Sequence, residues 1–133
     1  VAKTHFDFAD KQDPKLWASY IDWLIKERRY EQLVNIAATN NGEQFDKIQD
    51  ALLAQHDEPE CVLHFVKKYR ERANVAQICY AMSEYMGRLS YSKIASVKKK
   101  YQKVKEINDE IYSIKREIEQ DRKNKIIEQQ MRR

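Results

Sequence analysis

The chain has 133 residues, a net charge of +4, 35% charged side chains, and only two glycines and two prolines. That length suits one domain with a modest core, and so few breakers favour helix almost everywhere, so the predicted fold class is all-α. No stretch approaches 18 uninterrupted apolar residues and the opening VAKTHFDFADKQ lacks the apolar core of a signal peptide, which excludes a transmembrane helix and predicts a soluble, intracellular, cytoplasmic protein.

Residues 1–12 hold Phe6 and Phe8 among polar neighbours and read as an extended arm, because the alternation is too short for a strand. Asp13-Pro14 then starts a helix, with aspartate as N-cap and proline at the first position, where its missing N–H costs nothing. Leu16, Trp17, Tyr20, Ile21, Leu24 and Ile25 recur at three to four residues and give this helix one wide apolar face through Arg29, with Trp23 beside it. Trp17, Tyr20 and Glu27 resemble the tryptophan, tyrosine and acidic positions in the first helix of a half-a-tetratricopeptide repeat. The pattern covers about one helix and does not recur downstream, so it assigns no family. A second run, Tyr30 to Thr39, is helical by the same spacing; the sequence leaves open whether Arg28–Tyr30 separate it from the first. Asn40-Asn41-Gly42 supplies its stop.

Glu43 to Gln55 predicts a third helix, with Phe45, Ile48, Leu52 and Leu53 on one face, closed by the turn His56-Asp57-Glu58-Pro59. A fourth, Pro59 to Arg72, buries Val62, Phe65, Val66 and Tyr69. A fifth, capped by Asn74 and ended by Gly87, carries the stripe Val75, Ile78, Cys79, Met82, Tyr85 and Met86. From Ser90 to Arg133 there is neither proline nor glycine, which predicts one helix of about 40 residues, roughly 65 Å long, capped by Ser90 or Ser92. Its apolar residues Ile94, Val97, Tyr101 and Val104, then Ile107, Ile111, Ile114 and Ile118, follow the seam of a coiled coil. The short step from Val104 to Ile107 predicts a stammer that divides the rod into two packing surfaces. The charge is divided as well. Residues 1–90 hold 12 basic and 14 acidic side chains, whereas 91–133 hold 13 basic and 7 acidic ones.

Candidate chemistry is sparse. Cys61 and His64 share a helical face, and His56 and Cys79 are the remaining candidates for a metal, but the spacing fits no compact zinc signature. Reduced, buried thiols without a redox role are the expectation. No phosphate-cradling glycine loop, serine elbow or paired carboxylates in a pocket can be recognised, so no catalytic residue, metal or cofactor is assigned and the chain is not expected to be an enzyme. Trp23, Tyr30 and Tyr112 lie off the apolar stripes and are candidate contact residues. The strongest local signal is the lysine run Lys93, Lys98, Lys99, Lys100, Lys103 and Lys105, unbroken by an acid until Glu106. Its functional reading is a phosphate-binding surface, on nucleic acid or anionic lipid, and its bland reading is a solvated helix face.

The sequence therefore predicts an antiparallel bundle or short superhelix of about five helices over residues 1–90, followed by the long basic helix of 91–133. The first half of that helix is expected to pack on the bundle and the second to project to a partner through Ile107, Ile111, Tyr112, Ile114 and Ile118. The expected function is a non-enzymatic adaptor or assembly subunit that pairs with itself or another protein, with no small-molecule substrate. The alternative is a nucleic-acid-associated regulator working through the lysine run.

Overall fold

A computed structural model describes residues 13–54 and 58–132, and among these the chain is all-helical, with seven helices and no strand. The N-terminal arm with Phe6 and Phe8, as well as His56 and Asp57, lies outside the described residues. The helices are α1 (Pro14–Lys26), α2 (Tyr30–Ile36), α3 (Thr39–Gly42), α4 (Phe45–Ala54), α5 (Pro59–Lys68), α6 (Val75–Ser90) and α7 (Ala95–Met131). The chain forms two compact units, Val1–Cys61 and Val62–Arg133, which divide inside the first turn of α5.

In the first unit, Asp13 caps α1 as expected, its Oδ1 accepting from the backbone N–H groups of Lys15 (3.0 Å) and Leu16 (3.4 Å). The helix ends at Lys26 because Arg28 takes a left-handed conformation (φ 57°), which lets the Arg29 N–H reach back to the Leu24 carbonyl at 3.0 Å and that of Arg28 to Ile25 at 3.1 Å. The question left by Arg28–Tyr30 is thereby resolved: α1 and α2 are separate helices. Three consecutive left-handed residues, Asn40, Asn41 and Gly42 (φ 58°, 62° and 69°), turn the chain again before α4. Trp17, Ile21 and Leu24 of α1, Leu33 and Val34 of α2, and Phe45, Ile48 and Leu52 of α4 are buried where these three helices pack on one another. Tyr30 is only 3% exposed, so its expected role as a contact residue is corrected. It opens α2 on the face that continues to Leu33 and Val34. Trp23 stays half-buried, stacked on Tyr20 with the Arg29 guanidinium 5.2 Å from its ring.

The second unit is built on the pairing of α6 with α7. Asn74 caps α6, its side chain accepting from the Gln77 N–H at 3.1 Å. The predicted stop at Gly87 is corrected: α6 runs through it to Ser90, because Gly87 keeps helical backbone and half-buried Leu89 continues the stripe past it. The long helix begins later than expected. Ile94 is its N-cap, in extended backbone (φ −77°, ψ 130°), while Ser90 Oγ donates to the Gly87 carbonyl and Ser92 Oγ accepts from the Ile94 N–H.

The 37 residues of α7 span roughly 55 Å against roughly 24 Å for the 16 of α6, at about 1.5 Å per residue. The positions of α7 that are not exposed are Val97, Lys100, Tyr101, Val104, Ile107, Asn108, Ile111, Ile114, Lys115 and Ile118. These fall into three sets that each repeat every seven residues. One stripe therefore runs from Val97 to Ile118 in unbroken steps of four and three, through Asn108 and Lys115. The stammer read from apolar residues alone is corrected, since Asn108 occupies the step that seemed to be missing.

Candidate functional site

The second unit brings the sequence-predicted residues to two places along α7, and they fare differently. Ile107 is 6% exposed and Ile111 fully buried, against α6, whereas Ile114 and Ile118 are half-buried. Within the chain Ile107 and Ile111 are thus already buried, and of this line only Ile114, Ile118 and Tyr112 keep exposed surface. Asn108 ties the two helices at this level: its Nδ2 donates to Ser83 Oγ at 3.5 Å and lies 3.3 Å from Met86 Sδ, while its Oδ1 is buried without a hydrogen-bond partner among the described residues. One turn on, the Tyr112 hydroxyl sits 3.4 Å from Ser83 Oγ, with its ring at the exposed margin.

Farther along α7 the contact is ionic. Arg70, in the turn after α5, donates to Glu117 Oε2 at 2.8 Å and to Asp121 Oδ2 at 3.1 Å, bridging two carboxylates one turn apart; Lys67 meets Glu110 at 3.4 Å. These groups are largely exposed, so they fix orientation more than they stabilise. Beyond Asp121 every described residue to Arg132 is exposed. Where the seven-residue spacing would next place stripe residues, the chain has Asp121, Arg122 and Lys125, and its remaining large apolar side chains, Ile126, Ile127 and Met131, are 54%, 51% and 82% exposed. At 100° per residue, Ile127 and Met131 share one face turned away from the direction of Ile118, whereas Ile126 stays at the margin of the Val97–Ile118 stripe. An open groove of about 570 Å³ between Arg70-Glu71 and this tail is lined mainly by charged and amide side chains.

At the other end of α7, Lys98, Lys99, Lys103 and Lys105 are exposed around the helix, and Lys93 is exposed in the turn before it. Lys100 is half-buried, with Nζ 5.6 Å from the centre of the Tyr85 ring, which Arg88 also approaches at 5.8 Å. Ile94, expected on the buried stripe, is 64% exposed, since the extended backbone of an N-cap takes its side chain off the helical face. Tyr91 beside it is 88% exposed.

No family model, no curated protein and no solved structure matches this chain. The described residues contain no group of three or more His, Cys, Asp or Glu side chains placed to hold a metal, and no helix among them is long and apolar enough to cross a membrane.

The thiols are set against reactivity. Cys61 is half-buried and donates to Glu58 Oε2 at 3.5 Å; burial first, then that carboxylate with Glu31 and Glu60 nearby, pushes its pKa up to about 11. Burial also raises Cys79, against the opposing charge of Lys115. His64 is exposed one turn from Cys61. Alkylation of the folded protein by iodoacetamide is therefore expected to be slow at neutral pH, with the Cys61 rate still rising between about pH 9 and 11. A rate that levels off below pH 9 would show an ordinary, accessible thiolate.

Sequence reasoning missed Arg70, Asn108, Tyr91 and the tail residues Ile126, Ile127 and Met131. The tail leaves a signal in the sequence, because Asp121, Arg122 and Lys125 stand where the three-four spacing would continue and the next apolar residues come only at Ile126 and Ile127. Arg70 leaves none: its partners are 47 and 51 residues away.

Proposed function

We propose that this chain is a non-enzymatic protein–protein interaction module, an adaptor or assembly subunit, that presents the last turns of α7 to a second polypeptide helix from another copy or another protein. The observation that carries this reading is the overhang. After Asp121, which Arg70 contacts, α7 continues for about 15 Å at 1.5 Å per residue in which every described residue is exposed, yet keeps Ile126, Ile127 and Met131. A short helical stretch of this kind is marginal in water when it stands alone. Pairing would bury those side chains, and the regular seven-residue spacing already present from Val97 to Ile118 is the geometry of coiled-coil association. Arg122, Lys123, Lys125 and Glu128 flank the patch and would set partner and register.

Sedimentation velocity at micromolar concentrations tests this. Self-association is expected, and Ile126→Ser with Ile127→Ser and Met131→Ser should abolish it without changing the helical circular dichroism of the remaining chain. A strict monomer whose residues 122–131 nonetheless resist proteolysis would sink the reading, since an unpaired tail is readily cut.

A further inference from the structure

We propose that the corner joining α6 to α7 is a docking surface for a membrane containing anionic phospholipid, a site separate from the tail of α7. From Tyr85 to Lys105 the chain carries seven basic side chains, Arg88 and the six lysines of the run, and no acidic one. At the tip of this segment Tyr91 and Ile94 are 88% and 64% exposed. Their placement is fixed by the local backbone: the Ser90 and Ser92 hydroxyls hold the turn, and the extended N-cap conformation takes Ile94 off the stripe that begins at Val97. Lys93, Lys98 and Lys99 are exposed and lie within about 8 Å of Ile94 along the helix axis.

A tip with two projecting apolar side chains inside a collar of cations matches a surface that is apolar below and negatively charged above. Tyr91 and Ile94 would enter the acyl boundary, with the tyrosine hydroxyl kept at headgroup level, while the lysines meet the lipid phosphates and carboxylates. Nucleic acid fits less well. Unpaired strands are held by several aromatic platforms, whereas this tip offers one exposed tyrosine beside an isoleucine that cannot stack. Six of the seven basic side chains are lysines, point charges without the planar fork used for bidentate phosphate or base contacts, and the one arginine, Arg88, lies 5.8 Å from the Tyr85 ring.

Co-sedimentation with phosphatidylcholine vesicles, with and without phosphatidylserine, tests the assignment. The full chain is expected to partition onto vesicles only when phosphatidylserine is present, and less at high salt. Each basic side chain near an anionic surface contributes about five-fold, so Lys98→Gln with Lys99→Gln should weaken partitioning about 25-fold. Tyr91→Ser with Ile94→Ser should weaken it about ten-fold or more, because the inserted apolar area is lost. All four side chains are exposed, so far-UV circular dichroism should be unchanged in both variants. Equal partitioning onto both vesicle types would overturn the proposal, as would a tip variant that binds like the parent, which would mean charge adsorption without insertion. Stronger retention on a single-stranded oligonucleotide than on phosphatidylserine vesicles would also overturn it and assign the lysines to nucleic acid.

Discussion

Replacing Ile111 with alanine is expected to lower the free energy of unfolding by about 3 kcal/mol, within the roughly 2 to 5 kcal/mol found for such truncations in packed cores. Ile111 is fully buried, one turn from Asn108 and Ile107 on the face that α6 covers. Neither helix can close the space left by removing three carbons without giving up the Asn108 contacts with Ser83 and Met86. The loss is a large part of a total of roughly 5 to 15 kcal/mol. Urea unfolding followed by circular dichroism measures it directly. Ile126→Ala, at a position 54% exposed, supplies the contrast and should stay within about 0.5 kcal/mol. Equal, small effects at the two positions would mean that the α6–α7 pairing described above does not form.

In the first unit the comparable position is Phe45, for which substitution by alanine should cost about 4 kcal/mol. The ring is 2% exposed and sits at the first position of α4, three residues beyond Gly42 of the left-handed turn, where α4 meets α1 and α2. Its removal opens one of the largest fully buried volumes in the chain. Lys47, two residues on, pairs with Asp22 of α1, but both side chains are well exposed, so Lys47→Ala should cost less than about 1 kcal/mol. Thermal melting of the two variants should separate them clearly. A Lys47 variant as damaging as the Phe45 variant would mean that α1 and α4 are held by charge and not by packing.

Helix positions were legible in the sequence wherever a cap or an apolar period marked them: Asp13-Pro14, Asn74, and the stripes of α1, α4, α5 and α6. Ends were harder where the chain used an unusual residue. Arg28 takes a left-handed conformation that usually selects glycine, so nothing in its identity marks the end of α1, whereas Gly87 looks like a stop and is an ordinary helical residue. The largest misreading came from counting only apolar residues along α7. Asn108 is 5% exposed and Lys115 half-buried, and both occupy stripe positions. Without them the apolar residues alone show a seam shift at Val104. Periodicity over hydrophobic letters records composition, while burial also admits an amide that finds a donor role or a lysine whose stem lies on apolar surface. The candidate surfaces were half legible: the lysine run was plain, but Tyr91 and Ile94 become its apolar tip only through backbone geometry that no residue pattern announces.

The mismatch in length between α6 and α7 means that one uninterrupted ladder of backbone hydrogen bonds is held by two different equilibria. Amide hydrogens between about Val104 and Ile118 can exchange with solvent only when the pairing of α6 and α7 opens, which ties them to the larger free energies of the fold. Those from Arg122 onward are protected only by helix–coil fluctuation at a fraying end, a far cheaper opening. The boundary lies near Asp121, where Arg70 makes the last contact. A ligand of the tail would therefore announce itself as new protection C-terminal to that residue, leaving exchange on the N-terminal side almost unchanged.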